Sequence, residues 1–244
     1  MLRNSGATLI TGATSGIGSA VVLDRSQIDE SIIIHGRNHD QLQRLAKQIN
    51  SNCDVHIWCR DFGNVDYLFD EFQTFLNKRS LFVSRYVHAA GKTEILPFRR
   101  FTLSKTLDIF NVNTFSTIEI LRVLACKPYR DQLKSIVIIS AFYSKFGDKG
   151  NAIYAASKGA LNSMIKSLAT EFPKSRYNNL LLGAVRTPMT EHLFSGDACH
   201  KNFDRYILGT GLPSNVVTAV NFLLHDELWM TGQEIYLDGG ASIS

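Results

Sequence analysis

Short, almost wholly apolar runs separated by longer segments of helical periodicity constrain this chain more than any other feature of its sequence. Ala7–Thr11, Ser31–Gly36, Asp54–Cys59, Phe82–Ala89, Ser135–Ser140 and Leu180–Gly183 read as strands, several too continuously apolar to keep one face in water. Between them Ile17–Ser26, Asp40–Asn50, Val65–Leu76, Ser104–Ala125 and Ala155–Phe172 read as helices. Pro213-Ser214 opens a last helix ending near His225, and Glu234–Leu237 adds a further strand. Repeated strand-then-helix order calls for a parallel sheet covered on both faces. The expected class is α/β, a doubly wound parallel sheet of seven strands.

With 244 residues, 45% of them hydrophobic, the chain can bury its core as one domain over residues 1–244. There is no solenoid repeat, low-complexity segment or linker. The region 190–213, interrupted by Gly196, Gly209 and Gly211, reads as a flexible loop with a short helix. No apolar run reaches the roughly 18 residues that span a bilayer. The opening MLRNSGATLI is too short in apolar residues for a secretory signal. Cys53, Cys59, Cys126 and Cys199 form no CxxC pair, so a reducing, cytoplasmic setting without a disulfide framework is expected. The formal charge of +4 is spread along the chain and gives no nucleic-acid footprint. The histidines lack metal-ligand spacing, and neither GxxxxGK[ST] nor GxSxG occurs, which argues against a metal site, a nucleotide triphosphatase and many hydrolases.

Thr11-Gly12-Ala13-Thr14-Ser15-Gly16-Ile17-Gly18 lies between the first strand and the first helix. Glycines there permit a tight turn and close backbone approach, and free amides at a helix start hold phosphate. Its GxxxGxG spacing differs from GxGxxG and alone is weak evidence. Arg37 follows the second strand, where an acidic residue would suit NAD(H); an arginine accommodates the 2′-phosphate of NADP(H). A solvated arginine at a strand end is the other reading, and NAD(H) stays open. Asp61 after the third strand suits either an adenine contact or a turn. Ala89-Ala90-Gly91 after the fourth offers small residues at the sheet edge where open parallel sheets bind ligands.

Ser140 closes the apolar strand Ser135–Ser140 at that same edge, and Tyr154 and Lys158, four apart on a helix, share one face. A tyrosine near pKa 10 is a poor proton carrier at neutral pH, but a neighbouring ammonium favours its phenolate. Such a pair can exchange a proton with an alcohol or carbonyl, and Ser140 can steady charge on the same oxygen. Tyr/Lys pairs also occur on helix surfaces without any such role. Ser157, on another side of the helix, reads as a packing or capping residue.

Taken together, Thr11–Gly18, Ser140 and the Tyr154-to-Lys158 motif resemble the short-chain dehydrogenase/reductase family, in its small cofactor-binding subclass, and most of all its 3-oxoacyl-[acyl-carrier-protein] reductase-type members. The resemblance extends from Ala7 to Gly240 and implies a Rossmann-like fold. It implies that Tyr154 is the general acid or base, that Lys158 lowers its pKa and holds the nicotinamide ribose, that Ser140 orients the substrate carbonyl, and that Asn113 holds a relay water. Cofactor contacts implied beside Tyr154 and Lys158 are Gly12, Thr14, Ser15, Gly16, Ile17, Gly18, Arg37, Asp61, Ala90, Gly91, Val185 and Thr187. In that picture hydride passes between the cofactor, NADP(H) favoured, and a small-molecule or acyl-thioester carbonyl.

Three positions depart from the family pattern. His88-Ala89 replaces a pair of asparagines, Leu182 replaces a proline and Ser116 stands where glycine is common. His88 fits either a hydrogen bond across the turn or a structural substitution, and Leu182 suggests a less rigid loop. Phe142, Tyr143, Phe146 and the Thr190–Tyr206 loop are the expected substrate contacts beside Ser140 and Tyr154, with core or subunit packing as the alternative for the aromatics. Apolar faces of Ser104–Ala125 and Ala155–Phe172 resemble those that pair relatives into homodimers or homotetramers.

Overall fold

The computed structural model describes residues 6–191, 194 and 203–244. Seven strands form one parallel sheet in the order β3-β2-β1-β4-β5-β6-β7. They are β1 Ala7–Thr11, β2 Ser31–Gly36, β3 Asp54–Cys59, β4 Val83–His88, β5 Ser135–Ala141, β6 Arg176–Leu182 and β7 Glu234–Leu237. The helices are α1 Gly16–Arg25, α2 His39–Ala46, α3 Leu68–Arg79, α4 Leu103–Phe110, α5 Ser116–Ala125, α6 Ala152–Glu171 and α7 Pro213–Leu224.

Alternation along the strands explains the double winding. Leu9, Ile33, Ile136 and Ile138 face one layer with Phe72, Leu124, Leu161 and Ile165, from α3, α5 and α6. Ile10, Ile32, Ile34 and Val137 face the other with Val21, Leu42 and Val220, from α1, α2 and α7. Both faces are dry, so the strands read as continuous apolar runs. Strand order reverses between β1 and β4, which opens a crevice at their carboxyl ends.

The differences from the expected elements have local causes. The helix expected over Ser104–Ala125 is interrupted by a π turn at Asn111–Phe115, which separates α4 from α5. Helix α3 begins at Leu68 rather than Val65: Asn64 Oδ1 accepts from the Asp66 amide at 2.7 Å, and Tyr67 takes φ 59 before the helix starts. Helix α2 stops at Ala46, short of Asn50, as the next amides tighten to i→i−3 bonds, Gln48 to Leu45 at 2.9 Å. Strand β6 begins four residues before Leu180; its polar start is buried, and Asn178 bonds the Met230 carbonyl and the Gln233 amide at 3.0 and 3.1 Å. Leu182 is a paired residue of that strand, opposite Leu237, so the sheet and not a proline ring fixes the start of the loop. Ser116 is buried and returns its hydroxyl to the Val112 carbonyl at 2.8 Å.

Of the loop expected at 190–213, positions 192, 193 and 195–202 lie outside the described residues, as does Cys199. Cys53, Cys59 and Cys126 are free thiols. Among the described residues no helix is long and apolar enough to cross a membrane.

Candidate active site

The glycine-rich turn leaves β1 at the crevice. Gly12 has φ +66, and a Cβ there would stand 2.6 Å from the backbone of Ala90. A Cβ on Gly18 would meet the Gly12 carbonyl oxygen at 2.1 Å, and one on Gly16 would meet Thr187 at 2.9 Å. All three positions therefore require glycine for close approach: Gly12 toward the segment after β4, Gly18 within the turn and Gly16 toward the loop after β6. Ser15 caps α1, its Oγ accepting from the Gly18 amide at 3.0 Å. That leaves the Gly16 and Ile17 amides without intrahelical acceptors. Thr14 lies against Gly36 at the end of β2.

Around this turn the expected contacts sit at successive strand ends. Arg37 is exposed just beyond β2, with Asn38 beside it occupied as the cap of α2. Asp61 is exposed beyond β3, where Oδ1 accepts from the Gly63 amide at 2.9 Å, leaving its second oxygen for another donor. Val185 and Thr187 are buried in the loop after β6. Thr190 organises that loop: its Oγ1 donates to the Val185 carbonyl at 2.6 Å, receives the Thr187 amide at 3.0 Å and lies 3.0 Å from the Thr187 hydroxyl. In the sequence Thr190 stands only as the first residue of an expected substrate loop, not as the residue that ties Val185 and Thr187 together.

His88 ends β4 opposite Thr11 in register. Its Nδ1 lies 2.9 Å from Thr11 Oγ1 and 3.0 Å from the Tyr86 hydroxyl, so the substitution bonds across the strands and is fully buried. Burial, helped by the Lys158 charge, holds the ring well below the usual histidine range, hence neutral. The Asn113 main-chain carbonyl opposes this only weakly, and Nε2 has no well-aligned hydrogen-bond partner among the described residues.

Gly91, Asn113 and Lys158 converge: a Cβ on Gly91 would stand 3.7 Å from Lys158 Nζ and 3.8 Å from Asn113 Oδ1. Asn113 occupies the π turn, and both polar atoms of its side chain are hydrogen-bonded. Oδ1 accepts from the Lys92 amide at 2.7 Å, and Nδ2 donates to the Lys92 carbonyl and Ser157 Oγ, both at 2.9 Å. Ser157 Oγ donates in turn to the Tyr154 carbonyl at 2.7 Å, so the residue expected merely to pack or cap joins the π turn to α6. Oδ1 keeps one acceptor site, and the main-chain carbonyl receives the Thr117 hydroxyl at 3.5 Å.

Tyr154 and Lys158 share one face of α6, as their spacing requires. Lys158 is buried and donates to the Ile139 carbonyl at 2.8 Å; burial pulls its ammonium down to about 8. Burial also pushes the Tyr154 phenol up to about 12. Desolvation is the cause of that rise. Ser140 is buried, and its hydroxyl donates to Asn162 Oδ1 at 2.7 Å. Asn162 was missed, although it continues the four-residue spacing of Tyr154 and Lys158.

The aromatics after β5 depart from expectation. Phe142 is fully buried, stacked on Phe146 at 4.4 Å and covered by the Arg205 guanidinium at 4.7 Å. It is a core residue with no surface to offer a substrate. Phe146 also packs edge-on to Tyr236 of β7 at 6.1 Å, while Tyr143 is half-buried beside it. Only Tyr143 and the partly exposed side of Phe146 remain as wall candidates.

Residues 12–242 match the family described as enoyl-(acyl carrier protein) reductase. The chain belongs to the short-chain dehydrogenase/reductase family. This short-chain dehydrogenase/reductase is 30% identical to the 3-oxoacyl-[acyl-carrier-protein] reductase of Thermotoga maritima, over 96% of this chain and 97% of the relative. It is 29% identical to carbonyl reductase family member 4 of Xenopus laevis, over 96% and 97% of the two chains. Among solved structures, 4-hydroxyisoleucine dehydrogenase complexed with NADH superposes with a TM-score of 0.90 at 26% identity, covering 98% of this chain and 99% of that one. The family is one of oxidoreductases acting on small molecules, and the Rossmann-like fold expected from the sequence is the one observed.

Proposed function

We propose that this chain transfers hydride between NADP(H) and a carbonyl or alcohol, with reduction of a carbonyl or 3-oxoacyl thioester as its reaction. The observation that carries the reading is the convergence of Gly91, Asn113 and Lys158 with the Tyr154 face of α6 beside the glycine turn.

The residues present fit a dinucleotide. The close approach at Gly12 brings the turn against Ala90 just beyond β4, that at Gly18 tightens the turn itself, the first amides of α1 suit a pyrophosphate, and Lys158 suits a ribose hydroxyl. The exposed Arg37 suits a 2′-phosphate, and the free Asp61 oxygen suits an adenine amine. When bound, the cofactor supplies the hydride. Tyr154, held protonated at neutral pH, gives its phenolic proton to the substrate oxygen. Lys158 holds positive charge beside the developing oxyanion. The Asn113 main-chain carbonyl is the anchor for water that returns the proton, and Ser140, once its proton is released from Asn162, orients the carbonyl.

The names of the Thermotoga and Xenopus relatives support carbonyl or 3-oxoacyl-thioester reduction. NAD(H)-linked oxidation of an alcohol, steroid or sugar is the second reading, favoured by the NADH complex of 4-hydroxyisoleucine dehydrogenase. A non-catalytic cofactor sensor is disfavoured by the retained Tyr154 and Lys158. Leu103, Leu107 and Phe115 expose apolar surface on and next to α4, which supports assembly into a homodimer or homotetramer through that face. Free thiols at Cys53, Cys59 and Cys126 support a cytoplasmic setting.

Calorimetry tests the cofactor and an NADPH-oxidation screen over acyl thioesters, ketones, quinones and keto sugars tests the reaction. NADPH is expected to bind more tightly than NADH, and Arg37→Ala to weaken NADPH about 10- to 100-fold while sparing NADH. Equal affinities in the parent protein would overturn the NADP(H) assignment, and binding without turnover of any carbonyl would favour the sensor.

A further inference from the structure

Ser140 does not stand alone at the end of β5. Its hydroxyl donates to Asn162 Oδ1 at 2.7 Å, and the same oxygen accepts from Asn179 Nδ2 at 3.1 Å. Asn162 Nδ2 donates to Ser144 Oγ at 2.7 Å, which donates to the Ala141 carbonyl at 2.6 Å. Ser140, Asn162 and Asn179 are buried, and Asn179 Oδ1 has no hydrogen-bond partner among the described residues. A serine carries one proton. In this arrangement it points into the protein, and Ser140 can only accept in the crevice.

A second arrangement uses the same heavy-atom positions. Turning both asparagine amides exchanges their nitrogen and oxygen. Asn162 Nδ2 then donates to Ser140 Oγ and to Asn179 Oδ1, which gains the partner it lacked. Asn162 Oδ1 accepts from Ser144, whose bond to the Ala141 carbonyl is given up, and Asn179 Nδ2 takes its turn without a partner. Ser140 is left with a proton directed to the crevice. Four internal bonds become three, and a substrate carbonyl restores the fourth.

We propose that Asn162, held by Asn179 and Ser144, is a positioning residue that switches Ser140 from acceptor to donor as a carbonyl substrate arrives. The proposal rests on the assignment of Ser140 to the substrate oxygen. It follows that a residue able only to accept at position 162 locks Ser140 in the unproductive arrangement.

The test measures kcat/KM for NADPH-dependent reduction of acetoacetyl-N-acetylcysteamine, a minimal 3-oxoacyl thioester, with NADPH affinity followed by fluorescence. Asn162→Asp and Ser140→Ala are each expected to lower kcat/KM about 100-fold with cofactor affinity kept. The double variant is expected within about twofold of Ser140→Ala, because both changes remove the same donor. Full activity in Ser140→Ala would overturn the Ser140 assignment and this proposal with it. Impaired Ser140→Ala with an additive double variant, or an active Asn162→Asp, would overturn only the role of Asn162. A second readout needs no substitution at 162. The nitrogen-15 side-chain amide signals of Asn162 and Asn179 are expected to move when the same thioester is added with NADP+ to the parent protein, and to stay in place in Ser140→Ala. Signals unmoved in the saturated parent would contradict the switch.

Discussion

Two glycines at the crevice separate the demands of folding from those of binding. Gly12→Ala places a Cβ 2.6 Å from the Ala90 backbone at φ +66. Backbone cannot swing aside as a long side chain can. The left-handed conformation costs about 1–2 kcal/mol and the forced shift about 1–3 kcal/mol, so the substitution should destabilise by roughly 2–5 kcal/mol. For a chain of this size that lowers Tm by roughly 4–20 °C. Gly91→Ala differs in kind, since among the described residues its Cβ meets only Lys158 Nζ at 3.7 Å and Asn113 Oδ1 at 3.8 Å, ordinary contact distances. It should shift Tm by no more than about 2 °C. The added methyl nevertheless covers the ammonium where a ribose is to be held, and NADPH affinity should fall about tenfold or more. Thermal melting by circular dichroism and titration calorimetry read the two effects separately. Equal losses of stability in the two variants, or unchanged NADPH affinity in Gly91→Ala, would refute the division.

Two further outcomes follow from burial at the same edge. With Lys158 at about 8 and Tyr154 at about 12, kcat/KM for carbonyl reduction should be level below pH 8 and fall about tenfold per unit above it, as the ammonium is lost; a plateau extending to pH 10 would contradict this. His88→Ala removes the Nδ1 that serves Thr11 and Tyr86 and should cost about 1–3 kcal/mol in urea unfolding, with His88→Asn intermediate. An unchanged midpoint would show that the ring does not tie β1 to β4.

The sheet was legible because its strands are buried on both faces and leave uninterrupted apolar runs, as in Ser31–Gly36 and Ser135–Ala141. Where burial is achieved by polar pairing the signal vanishes: Arg176–Asn179 looks like a loop until the partners of Asn178 are known. The π turn at Asn111–Phe115 leaves the apolar periodicity nearly intact, so one long helix was the natural reading. At the site, the spacing of the glycines and of Tyr154 and Lys158 was weak evidence alone, and the family resemblance singled them out. The engagement of the Asn113 side chain, the burial of Phe142 under Arg205 and the grip of Asn162 on Ser140 depend on tertiary neighbours that no local pattern reports.

The proton carried by Tyr154 is the most direct point of attack on the proposed reaction. Tyr154→Phe removes one hydroxyl from a half-buried ring and leaves the glycine turn, Arg37 and Lys158 in place. NADPH affinity is expected to be unchanged, while the single-turnover rate of NADPH oxidation by a carbonyl substrate falls about 100-fold or more. Turnover at the parent rate with cofactor bound would contradict Tyr154 as the proton donor.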